Sequence, residues 1–105
     1  MGVIRGTTPT IPLTVDKDLT GYTVYVTFLS DSNELTLTNE RLIIEPGEES
    51  SSIKVPLTQE ETLAFPIGNV DIQVRAIKGA MAISTNEGSI TVGRILKEGV
   101  IDELL

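Results

Sequence analysis

Apolar and polar side chains alternate with a period of two along most of this chain, and that rhythm decides what it can fold into. Tyr22, Val24, Val26 and Phe28 point one way and Thr23, Tyr25 and Thr27 the other. Val70, Ile72, Val74 and Ala76 oppose Asp71, Gln73 and Arg75 in the same manner. Ile11, Leu13 and Val15 share one face, as do Ile53, Val55 and Leu57. In an extended strand such residues line one side of a pleat, whereas a helix would scatter them around its axis. Thirteen threonines, with many valines and isoleucines, favour the same conformation, because a branched Cβ restricts χ1 in a way that suits a pleated sheet.

Shorter runs complete the pattern. Leu35 and Leu37 alternate with Thr36 and Thr38, and Leu42, Ile43 and Ile44 lead to a stop at Pro46-Gly47. Lys78-Gly79 reads as a hairpin tip, residues 80–85 as the return strand, and Ile90 and Val92 as a last strand. Pro9 and Pro12 lack the N–H that a central strand must donate, so residues 8–15 are expected at a sheet edge. One segment departs from the alternation. Thr58-Gln-Glu-Glu61 is a capping box, followed by Leu63, Ala64 and Phe65 and stopped by Pro66. It predicts a helical turn near residues 59–64, with Leu63 and Phe65 closing one end of the core. The length, 105 residues, allows one domain. The expected fold is therefore all-β, a single immunoglobulin-like antiparallel β-sandwich of about seven or eight strands. Residues 1–7 and 94–105 are set aside as extended or partner-docking ends.

Composition removes many chemistries. The chain has no cysteine and no histidine. Thiol nucleophiles, disulfide frameworks, the usual zinc sites and imidazole triads go with them. Eight basic residues against fifteen acidic ones give a net charge of −7, which repels nucleic acid and anionic lipid. No apolar run approaches the roughly 20 residues that span a bilayer. The start shows no basic segment leading into an apolar one, so no secretion signal is expected.

The remaining polar residues have structural explanations. Glu61 belongs to the capping box and Glu60 to solvent. Glu45, Glu48 and Glu49 bracket a turn without the ligand spacing of a calcium loop. Asp16 and Asp18 suit backbone capping in the turn from Lys17 to Gly21. Arg5, Arg75 and Arg94 suit surface ion pairs or contacts to another chain. Gly2 and Gly6 do not lie between a strand and a helix, so they form no phosphate loop. Thr23, Tyr25 and Thr27 offer an aromatic and hydroxyl face suited to sugar, although a single tyrosine makes a thin platform. No catalytic, cofactor or metal residue is assigned.

The tail carries six aliphatic residues among its last twelve, Arg94 to Leu105. It reads as a last strand or short helix on its own domain, as an apolar arm that docks on a neighbour, or as a frayed end.

Three pieces in order carry a resemblance: Ile4-Arg-Gly-Thr-Thr-Pro-Thr10, Val55-Pro-Leu-Thr-Gln-Glu-Glu-Thr-Leu-Ala-Phe65, and Val92-Gly-Arg-Ile-Leu-Lys-Glu-Gly-Val-Ile101, with Val70 to Ala76 between the last two. Over nearly its whole length the chain resembles small structural proteins of tailed phages and prophages of Gram-positive bacteria. In strand rhythm it is also similar to the immunoglobulin-like N-terminal domain of phage baseplate upper proteins. The resemblance implies a non-enzymatic virion structural or accessory protein, assembled in the bacterial cytoplasm, with no cofactor. Its partners would be itself, as a homo-oligomer, or another phage structural protein. The contacts it implies lie at the ends: Ile4, Arg5, Arg94, Ile95, Leu96, Val100, Ile101, Leu104 and Leu105. The alternative is an adhesion or carbohydrate-binding sandwich that uses the Tyr25 face.

Overall fold

Each alternating stretch becomes a strand in the computed structural model, which describes residues 2–31, 33–85, 88–96, 99 and 100. The strands are β1 (Gly2–Ile4), β2 (Thr10–Val15), β3 (Thr23–Ser30), β4 (Asn33–Thr38), β5 (Ile43–Glu45), β6 (Ser51–Pro56), β7 (Gly68–Lys78), β8 (Met81–Ser84) and β9 (Gly88–Gly93). A 3₁₀ turn, Asn39–Arg41, separates β4 from β5, and one helix, α1 (Gln59–Ala64), separates β6 from β7.

Two sheets share the strands. The larger runs β1-β9-β7-β3-β4, with β8 also on β7, and the smaller runs β2-β6-β5. The grouping of the second, sixth and fifth strands against the third, seventh and ninth follows the immunoglobulin-like arrangement. The alternating residues meet between the sheets. Val24, Val26 and Phe28 of β3 and Val70, Ile72 and Val74 of β7 are buried against Ile11 and Val15 of β2 and Ile53 and Val55 of β6.

Two details differ from the sequence expectation. The larger sheet is mixed, because β1 runs parallel to β9, with Val3 opposite Val92. The stretch expected as an extended N-terminal end thus supplies a ninth strand, and Val3 is buried in the core. Three residues are too few to show a period, and a parallel partner some ninety positions away leaves no local trace. The edge position of β2 is as expected. The Leu57 N–H bonds to the Pro9 carbonyl at 2.9 Å, so odd-numbered residues of β2 face β6. Pro12 therefore turns its nitrogen outward and no ladder bond is lost.

Three sequence positions separate Ser84 of β8 from Gly88 of β9, whereas two separate their β7 partners Arg75 and Ile72. Thr85 absorbs the mismatch. Its hydroxyl accepts the Val74 N–H at 3.1 Å, and its own N–H donates to the Val74 carbonyl at 2.9 Å. A serine serves the β2–β3 connection in the same way: buried Ser51 accepts the Leu19 N–H at 3.0 Å and donates to the Lys17 carbonyl at 2.7 Å.

The capping box at α1 is formed. The Thr58 hydroxyl accepts the Glu61 N–H at 3.1 Å, and the Glu61 carboxylate accepts the Thr58 N–H at 2.9 Å. Arg41 adds a two-pronged pair to the same carboxylate, at 2.8 and 2.7 Å, and reaches the Pro56 carbonyl at 3.1 Å. The helix is thus fixed to the β4–β5 connection and the end of β6.

Arg41, then the Thr58 backbone, hold the Glu61 carboxyl below its ordinary value of 4.5. A lowered folded pKa gives stability that is complete above the unfolded value and fades as pH falls through the folded one. Glu61→Gln should cost about 1 kcal/mol at neutral pH, as a charged hydrogen-bonded pair does when partly open to water. Urea midpoints of the two proteins should converge as pH drops below about 4.5; an equal gap at pH 7 and pH 3 would contradict this role. Asp18, also lowered by hydrogen bonds from the Thr20 hydroxyl and N–H, adds acid sensitivity of the same sign to both proteins.

Candidate functional site

Strand parity fixes which side chains the larger sheet shows to solvent. Across β4, β3 and β7 the outward rows are Thr38–Tyr25–Arg75, Thr36–Thr27–Gln73 and Glu34–Leu29–Asp71. Thr23 opposes Ile77, and Ile77 opposes Ala82 of β8. The twisted sheet makes these rows a shallow concavity of about 550 Å³.

The opposite end of the same face is apolar. Ile4 pairs with Gly93, and Ile67 precedes Gly68, the first residue of β7, which pairs with Val92. The two isoleucines are 55% and 61% exposed. Large apolar side chains open to water therefore collect on this outer face: Ile4, Tyr25, Leu29, Ile67 and Ile77. The outer face of the smaller sheet shows Thr10, Pro12, Thr14, Lys54 and Glu45, with Ile43 its exposed large aliphatic side chain. Singly scattered exposed apolar residues are ordinary; here five large ones lie on the outer side of one sheet, which makes that face the candidate site.

The expected contact residues divide. Ile4 lies on the apolar end described above. Arg5 is turned inward and does structural work: its Nε donates to the Phe65 carbonyl at 3.0 Å and its Nη2 to the Leu63 carbonyl at 2.8 Å. The last turn of α1 contains no basic residue, so Arg5 supplies the cation that its terminal carbonyls favour. Ile95 is half-buried beside Gly6, whose φ of +79° favours glycine and where a Cβ would lie 3.0 Å from the Ile95 Cδ1 and 3.3 Å from a Leu63 methyl. Arg94, Leu96 and Val100 are exposed. Ile101, Leu104 and Leu105 lie outside the described residues.

Sequence reasoning did not single out Leu29, Ile67 and Ile77 as surface residues. The signal was present, because Leu29 follows Thr27 by two and Ile77 follows Arg75 by two, both on the outward register.

The concavity has one aromatic side chain, Tyr25, beside Arg75, Gln73, Glu34, Asp71, two threonines and six aliphatic residues. Stacking of sugar rings favours several aromatic faces, so the mixed polar and aliphatic lining suits protein better than carbohydrate. Among the described residues, no three acidic side chains gather where they could hold a metal ion. Among the described residues, no helix is long and apolar enough to cross a membrane.

No protein-family model and no curated protein matches the chain. The outer face and the strands that build it are the grounds for a functional reading.

Proposed function

We propose that this protein is a non-enzymatic structural or accessory component of a tailed-phage virion, acting by protein–protein contact through the outer face of its larger sheet. The observation that carries the reading is the placement of the exposed side chains of Ile4, Tyr25, Leu29 and Ile77 on the outward register of one sheet, with exposed Ile67 just before β7. A rigid sandwich presents such a face at little entropic cost, since the backbone is already ordered. Leu96 and Val100 extend apolar surface into the tail. The kind of particle rests on the sequence resemblance; the contact face rests on the geometry.

Quantitative mass spectrometry of purified particles from the phage or prophage that encodes the chain tests this. The chain should be present in several copies per particle, and deleting its gene should lower particle yield or infectivity. Particles that lack the protein and keep full titre would contradict the proposal.

A further inference from the structure

The sheet edges of this protein are guarded unequally. An edge strand offers unpaired N–H and C=O groups to any passing strand, and soluble proteins usually blunt it. Here β2 carries Pro12 with its nitrogen outward, β1 and β5 have three residues each, and β8 has four. β4 is different: its six residues, Asn33–Thr38, contain no proline, glycine or lysine.

The direction of the β4 backbone groups follows from two observations. Ser30 and Asn33 flank a two-residue connection and pair, and such a loop closes on a hydrogen-bonded pair. Beyond the Val26–Leu37 pair, Asn39 takes the place of the next strand residue: its Oδ1 accepts the Val24 N–H at 2.6 Å and its Nδ2 donates to the Tyr22 carbonyl at 3.2 Å. Even-numbered residues of β3 therefore bond toward β4, and Leu35 and Leu37 answer them. The main-chain groups of Glu34, Thr36 and Thr38 face away from the sheet.

We propose that β4 pairs antiparallel with β4 of a second copy of this chain, about a two-fold axis at Thr36. The outward groups limit the pairing to registers that oppose even-numbered residues, and the one centred on Thr36 forms the most bonds. It opposes Thr36 to Thr36 and Glu34 to Thr38, so every outward residue meets an outward residue and about six main-chain bonds form. The two Glu34 carboxylates lie at opposite ends of the pairing, whereas a slip that opposed them would cost stability. On the inner side Leu35 meets Leu37, which extends the apolar layer. On the outer side the Thr27 and Thr36 hydroxyls, already 3.1 Å apart, continue into the matching pair of the other copy.

The size of the contact sets its strength. A pairing of two six-residue edges buries less than the roughly 1,200–2,000 Å² of a standard interface, so association is weak and concentration-dependent. Two chains of net charge −7 repel, so added salt strengthens it. This contact is separate from the apolar end at Ile4 and Ile67 and does not depend on it.

The test uses the full chain at about 10 μM to about 1 mM, by sedimentation equilibrium and amide exchange. The mass should rise toward twice that of the chain, more readily at high salt. The amides of Glu34, Thr36 and Thr38 should gain about tenfold protection with concentration, while those of Leu35 and Leu37 stay protected throughout. Thr36→Pro removes an outward N–H and Thr36→Lys places a charge on the edge; both should keep the chain monomeric without lowering its melting temperature. Ile4→Asp with Ile67→Asp should leave the dimer intact. A mass independent of concentration, or a dimer that survives both Thr36 variants, overturns the proposal.

Discussion

Replacing Phe28 by alanine should cost this protein about 3–5 kcal/mol, the range for removing a fully buried aromatic ring. Phe28 is 1% exposed and stands on β3, an interior strand of the larger sheet, paired with Leu35 on one side and Ile72 on the other. Its ring meets that of Phe65 at 5.7 Å between centroids, tilted by 35°. That contact ties β3 to the residue that follows α1. Truncation therefore opens a cavity and loosens the helix that Phe65 anchors. A domain of this size has about 5–15 kcal/mol in all, so the variant should be marginal at 37 °C. Its melting temperature should fall by about 15–30 °C. Phe28→Leu, which keeps most of the volume, should cost about 1–1.5 kcal/mol. A loss below about 1 kcal/mol for the alanine variant would mean that this site is not packed as described.

Thr62→Val tests a different kind of force, with the shape of the side chain unchanged. Thr62 is fully buried on α1. Its hydroxyl accepts the Gly6 N–H at 2.9 Å and donates to the Thr7 carbonyl at 2.8 Å. Valine leaves both backbone groups without that partner, and a buried group that loses its hydrogen bond costs about 1–3 kcal/mol. The expected loss is about 2–4 kcal/mol, measured by urea unfolding. The damage should also be local. The Gly6 amide should exchange faster, and β1, which these bonds hold at the sheet end, should lose protection before β3 or β7. A variant as stable as the parent would show that the N-terminal stretch is not fixed through Thr62.

These two residues also show what could be read from the sequence. Phe28 was legible because four alternating apolar positions place it inside a strand, and the same rule recovers β7 residue by residue. The capping box at Thr58 and Glu61 was legible because its chemistry is local. Thr62 was not. Sequence reasoning expected Leu63 and Phe65 to close the core end, and Phe65 does so. The position beneath Gly6, however, needs a hydroxyl that satisfies two backbone groups more than fifty residues away, so Thr62 is buried and Leu63 is half-exposed. Arg5 was read as a contact to another chain for the same reason. The carbonyls it serves, at Leu63 and Phe65, become its neighbours only after the sheet brings β1 beside α1. The candidate contact face was half legible: Ile4 was singled out from the sequence, but the exposed Ile67 was not.

In the proposed function the protein makes its contacts through the outer face of the larger sheet. The most direct measurement is incorporation of surface variants into particles. Ile4→Asp with Ile67→Asp places two charges on that face without touching the core. Ile43→Asp, at a similarly exposed 51% on the smaller sheet, is the matched control. Incorporation, read as copies per particle at equal expression, should fall at least about tenfold for the first protein, as expected when charges enter an apolar contact. It should be unchanged for the second. Full incorporation of the double variant, or an equal loss in the Ile43 control, would contradict the account.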